Sequence, residues 1–109
     1  MTVEEMKAAI IDELRIELQG DSAFSEEILR VKVDSAVREV KRARRYPEHY
    51  TESMIERDLL DFFSNIKAIA LYDYNQIGIE GQSSSSENGE NRTFVDRNTL
   101  FRGVIPFAR

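Results

Sequence analysis

From Met6 to Tyr74, apolar residues recur at intervals of three and four, the spacing of amphipathic helices. The first stripe is Met6, Ile10, Leu14 and Leu18, with Glu4, Lys7, Glu13 and Glu17 largely off it. Thr2 and Glu5 form a capping box ahead of it, in which the hydroxyl accepts from the Glu5 amide and the Glu5 carboxylate accepts from the Thr2 amide. Gly20 is placed to end this helix, and Asp21-Ser22 begins a turn. A second helix is expected from Ser25, with Glu26 and Glu27 in the first turn, where the helix dipole favours acids. Leu29, Val33, Ala36, Val37, Val40 and Ala43 form its buried face. Lys41, Arg42, Arg44 and Arg45 crowd its last turn, and Pro47 stops it. A third helix is expected from about Thr51, its N-cap, to about Tyr74. Ile55, Leu59, Phe62, Phe63, Ile66, Ile69 and Ala70 are its apolar face. Near the end, Thr99 to Val104 is long enough for one or two helical turns before Pro106.

After Tyr74 the pattern fails. The chain reads Tyr74-Asn75-Gln76-Ile77-Gly78-Ile79-Glu80-Gly81-Gln82, then four serines at 83–86, then Glu87-Asn88-Gly89. Asn88-Gly89 is the preferred pair for a tight hairpin turn, and Asn91 to Val95 is a candidate strand, but Gln82 to Ser86 has no apolar alternation. The expected fold class is therefore all-α: a small bundle of three main amphipathic helices plus a short C-terminal helix, with a long loop or weak β-hairpin between the third helix and the C-terminal segment. The expected single domain divides into a bundle over 2–77, a loop or hairpin over 78–95, and a terminal segment over 96–109.

Composition narrows the possible functions. A chain of 109 residues with no cysteine has no disulfide, thiolate metal site or thiol nucleophile. No apolar run approaches the roughly 20 residues of a membrane span, and Met-Thr-Val-Glu-Glu is acidic where a signal peptide is basic. Net charge is −5, and it is banded. Residues 1–29 carry eight acids and two bases; residues 30–45 carry seven bases and two acids; residues 46–80 carry seven acids and two bases. Arg38, Lys41, Arg42 and Arg45 share one side of the second helix. Two readings fit this band: pairing with the acidic helices of the same subunit or the next copy, or contact with DNA phosphates. The acidic total favours the first, since dedicated DNA binders are usually basic.

No catalytic constellation is visible. His49 is the only histidine and belongs to a Pro-Glu-His-Tyr turn, with no other imidazole or thiol ligand to join it. The glycines are not spaced as a phosphate-binding loop. Asp58 and Asp61, three apart on one helical face, read as solvated surface rather than a cation site. Phe62, Phe63, Tyr72 and Tyr74 sit at helical spacing and read as core. The expectation is no enzyme, no cofactor and no metal.

The run from Tyr74 to Gln82, the Ser-Glu-Asn-Gly at 86–89, Arg92-Thr93-Phe94 and the ending Val104-Ile105-Pro106-Phe107 form an ordered set. Together they resemble the head–tail connector family of long-tailed bacteriophages, small adaptor or head-completion proteins sometimes described as DNA packaging proteins. In that family a Tyr-Asn-x-Ile-Gly-x-Glu-Gly element closes the main helix and a Val/Ile-Pro-Phe/Tyr element ends the chain. The serine run at 83–86 and the polar Glu90-Asn91 depart from its pattern. The resemblance implies a virion structural protein, made in the bacterial cytoplasm from an active phage or a prophage, that forms a homo-oligomeric ring at the head–tail interface. Its implied partners are other copies, the portal protein, a stopper or tail-completion protein, and DNA passing non-specifically through the channel. No membrane, cofactor or catalytic residue is implied. Gly78, Glu80, Gly81, Glu87, Asn88, Gly89, Arg92 and Phe94 are then candidates for portal docking or assembly. Arg38, Lys41, Arg42 and Arg45 are candidates for a subunit interface or a DNA-facing surface. The alternative function is a DNA-binding packaging accessory that uses the band from Arg38 to Arg45.

Overall fold

The computed structural model describes residues 1–80 and 97–107, and for 77–80 the backbone alone. Among these residues the chain is all-α. Helix α1 spans Val3–Glu17, α2 Glu26–Arg44, α3 Glu52–Leu60 and α4 Phe63–Glu80, followed by a 3₁₀ helix at Arg97–Phe101. All three expected N-caps form. Thr2 Oγ1 accepts from the Glu5 amide at 3.1 Å while Glu5 Oε1 accepts from the Thr2 amide at 2.8 Å. Ser25 Oγ accepts from the Ile28 amide at 3.3 Å, and Thr51 Oγ1 from the Met54 amide at 3.2 Å. Each such cap stabilises its helix by about 1 kcal/mol.

The core lies where α2 packs along α4, the most extensive helix pairing, with α1 laid across both. Met6, Ile10 and Leu14 of α1, Leu29, Val33 and Val40 of α2, and Ile66 and Ile69 of α4 are fully buried. Burial of a side chain of this size stabilises by about 1.5–3 kcal/mol. Leu18 and Ala43, at the ends of the expected stripes, are only partly buried. Tyr74 is buried near the far end of α4, where its hydroxyl accepts from the Ser25 amide at 2.9 Å.

The expected third helix is two helices. The Asp61 amide bonds Asp58 O at 3.0 Å and the Phe62 amide bonds Leu59 O at 2.9 Å, tight i→i+3 links that end α3. The Ile66 amide then bonds Phe62 O at 2.9 Å and α4 begins. No proline or glycine stands between Thr51 and Asn75, so the weak helix formers Asp61 to Asn65 permit the break and tertiary contacts favour it. Glu56 accepts from the Val3 amide at 2.7 Å and Asp58 is held by Arg44 of α2, which fixes α3 against the start of α1 and the end of α2. Ile66, Ile69 and Ala70 meanwhile bury against the length of α2. One straight helix does not serve both contacts. Phe62 and Phe63, beside the break, are half-buried.

Two further boundaries move. Helix α4 continues through Glu80, so Gly78, Ile79 and Glu80 have helical backbone and do not begin a loop. The rest of the loop or hairpin expected over 78–95, from residue 81 on, lies outside the described residues. The expected terminal helical turn forms as a 3₁₀ helix at Arg97–Phe101, beginning two residues before Thr99 and ending three before Val104. Asn65 Nδ2 of α4 fixes it by donating to Leu100 O at 2.8 Å and to Arg102 O at 3.0 Å. Gly103 at φ 87° then turns the chain so that Val104 is buried. A side chain at that φ would be strained.

Candidate assembly surface

The end of α2 separates two groups of cations. Arg44 turns inward. Its Nε and Nη2 donate to the two carboxylate oxygens of Asp58 at 2.8 and 2.9 Å, and its Nη1 donates to Ile105 O at 2.7 Å. The guanidinium carbon lies 4.0 Å from the Phe107 ring centre and 5.1 Å from that of Phe62. Tyr46 donates its hydroxyl to Asp58 at 2.7 Å, and the Phe107 amide donates to Arg44 O at 2.7 Å. Tyr46, Tyr50 and Phe107 have ring centres 5.1–5.7 Å apart. The Arg44 and Asp58 side chains are only 13% and 18% exposed, so this planar fork is shielded from water. Asp58 raises the Arg44 pKa, and burial, with Asp58 beside it, raises that of the Tyr46 phenol. The corner fastens the C-terminal segment to the α2–α3 connection.

A second clamp holds the same segment one helix away. Arg97 donates from Nε and Nη2 to Asp73 at 2.8 Å each and from Nη2 to Glu39 at 2.8 Å, with its guanidinium 5.6 Å from the Phe101 ring centre. Asp73, then Glu39, raises its pKa. The segment is thus tied to α2 and α4 by two arginines.

Arg38, Lys41, Arg42 and Arg45 point the other way. All four are exposed, and among the described residues none forms an ion pair. Arg38 Nη2 donates to Ser35 Oγ at 3.2 Å, within one turn of its own helix. Arg45 closes α2 in the left-handed region at φ 54°, with its amide on Arg42 O at 3.3 Å. Open grooves flank Arg38 on both sides. One, of about 400 Å³, is lined by Ser35, Arg38, Glu39, Arg42, Ala43 and Phe101. The other, of about 410 Å³, runs between α2 and α3 and includes Lys41, Glu52 and Glu56.

The expected pairing of the band with acids of its own subunit forms at Arg44, with Asp58 of α3, and at Arg30, with Glu26, but among the described residues not at Arg38, Lys41, Arg42 or Arg45. The acids of α1 and of the first half of α2 are largely held by other cations. Arg15 holds Asp12 and Glu26 at 2.7 Å each, Lys67 holds Glu13 at 2.8 Å and Glu17 at 2.6 Å, and Lys7 holds Glu4 at 2.9 Å and Asp34 at 3.0 Å. The Glu26 pKa is lowered, by Arg15 first and Arg30 second. These are mostly exposed pairs that orient α1, each with a small effect on stability.

Of the other candidate residues, Gly78 and Glu80 lie on the backbone of α4. Gly81, Glu87, Asn88, Gly89, Arg92 and Phe94 fall outside the described residues. His49 sits exposed in the α2–α3 turn with its ring edge-on to Tyr50 at 5.3 Å. Asp58 and Asp61 part company, since Asp58 is committed to Arg44 and Tyr46 while Asp61 is exposed. Among the described residues there is no cluster of metal-ligating side chains, and no helix is long and apolar enough to cross a membrane. Sequence reasoning missed the Arg44 corner and the Arg97 clamp. The one available signal was the aromatic Tyr46, Tyr50 and Phe107 around a basic run. Comparison with protein-family models, curated proteins and solved structures gave no match to this chain.

Proposed function

We propose that this chain is a virion structural protein, a head–tail connector subunit that assembles as a homo-oligomeric ring between portal and tail or stopper. The ring completes the head after packaging and leaves a channel for DNA exit. The phage placement rests on the ordered motif set from Tyr74 to Phe107. The observation that supports assembly is the row Arg38, Lys41, Arg42 and Arg45 on the outside of α2, without an ion pair among the described residues, in a chain of net charge −5 whose α1 cations are paired. A ring is built from heterologous contacts, one face of each subunit meeting a different face of the next. A basic face on an acidic molecule suits such a contact, because charge complementarity sets orientation and partner choice.

The same row supports a second reading, a packaging accessory that holds duplex DNA through phosphate contacts. The two separate by titration. A connector subunit gives sedimentation or native-mass evidence of self-association and of incorporation onto portal-bearing heads, and no binding to free duplex DNA at low ionic strength. Steeply salt-dependent DNA binding without self-association would overturn the connector reading in favour of the accessory.

A further inference from the structure

The outside of α2 carries a second stripe, independent of its buried one. Ile28, Val31, Ser35, Arg38 and Arg42 follow one another at spacings of three and four and face away from the core, with Arg45 just beyond. Its first turn is apolar, Ile28 being 40% and Val31 58% exposed, and its far end is cationic. The outside of α1 carries the reverse pattern. Glu5 lies at its start, exposed Ala8 and then Asp12 follow along the stripe, and Ile16, 69% exposed, lies at its end; Glu5 Oε1 accepts from the Thr2 amide and Asp12 Oδ1 from Arg15, which leaves the other oxygen of each carboxylate for a neighbour.

We infer that the outer stripe of α2 seats the outer stripe of α1 from a second copy, with the two helices antiparallel. Eleven residues separate Val31 from Arg42 and eleven separate Glu5 from Ile16, about 16 Å of helix in each case. Placing Ile16 of one copy on Ile28 and Val31 of its neighbour therefore brings Glu5 to Arg42. Asp12, four residues from Ile16, comes to Ser35, where the Arg38 guanidinium already lies. Ala8 leaves room for the arginine stems to lie flat. The contact covers exposed apolar side chains on both surfaces and brings a carboxylate to each of Arg38 and Arg42, Asp12 sharing its charge between Arg38 and its own Arg15. With α2 offered to one neighbour and α1 to another, as the ring reading requires, the contact is heterologous and propagates. This deepens the ring reading above and rests on it for the choice of a second copy as occupant.

Two single-cysteine variants, Ile16→Cys and Val31→Cys, test it without interference, because the chain has no cysteine of its own. Mixed in equal amounts, one isotopically labelled, and oxidised, they should form the mixed disulfide about tenfold faster than either symmetric one, the factor that ~1.4 kcal/mol of contact gives. Adding Arg42→Glu to the Val31→Cys copy should return the mixture to statistical proportions, and adding Glu5→Lys to the Ile16→Cys copy should restore the preference. Circular dichroism of each variant checks that its helices are intact. A mixed disulfide at the statistical share from the start, or a charge reversal without effect, overturns the interface. Sedimentation of the unmodified protein at the same concentration separates this from the parent reading. Oligomers with statistical disulfides sink only the interface, whereas monomers with statistical disulfides sink the interface and remove the support for self-assembly.

Discussion

Arg42 and Arg44 stand two residues apart at the end of α2, and they do opposite things. Arg44 is enclosed by Asp58, the Ile105 carbonyl and two aromatic rings. Arg42 is exposed beside an open groove and forms no ion pair among the described residues, Glu39 in the same groove being held by Arg97. Local sequence does not distinguish them, since both belong to one run of bases. Two residues are a rotation of about 200° around a helix, so neighbouring cations of equal chemistry leave on opposite sides. Shielding from water makes the first a structural fastening, while solvation leaves the second free for a partner.

Removal of the partly buried counter-charge should break this contrast most sharply. Asp58→Ala leaves a shielded guanidinium without its carboxylate and should cost about 2–3 kcal/mol, at or just below the range for breaking a buried pair because both groups keep some exposure. Urea unfolding would measure it, and a loss under about 0.5 kcal/mol would show that the corner does not stabilise the fold. Phe107→Ala removes the ring stacked on Arg44 and should cost about 1–2 kcal/mol, its burial being partial. Trypsin should then cleave the C-terminal segment faster.

Tyr46→Phe should cost about 1 kcal/mol at neutral pH, the value of one hydrogen bond, and it carries a pH signature. Burial, with Asp58 beside it, holds the Tyr46 phenol protonated above its ordinary value of 10.0. The folded state therefore binds the proton more tightly than the unfolded chain. That stabilisation is fully present below pH 10 and is lost as pH rises beyond it, so Tyr46→Phe should flatten the alkaline fall in stability. The smallest effect belongs to the outward row. Arg38→Glu with Arg42→Glu should change unfolding stability by no more than about 0.5 kcal/mol, while self-association is lost. A large loss of stability there would end the division between the two sides of α2.

The helices were legible where one physical rule acts locally. Thr2, Ser25 and Thr51 cap because a side-chain oxygen satisfies an amide two or three residues on, and the stripes Met6-Ile10-Leu14 and Leu29-Val33-Val40 bury because helical geometry puts them on one face. The break at Asp61-Phe62 was illegible, because no proline or glycine marks it and the only local sign is the modest helix propensity of Asp61 to Asn65. The Arg44 corner was hidden for a related reason. Asp58 and Phe107 are 14 and 63 residues from Arg44, and no local rule names them as its partners.

By itself the sequence determined the all-α class, the start of each of the first three helices, most of the buried face, and the concentration of positive charge on α2. Each of these depends on residues within a turn or two of one another. Tertiary structure alone decided that the third stretch of helix divides, that the C-terminal segment folds back onto α2 and α4, and which cations are fastened inward. Those outcomes depend on which distant carboxylates and rings arrive at a helix face, and on how far their arrival excludes water from the charges they meet.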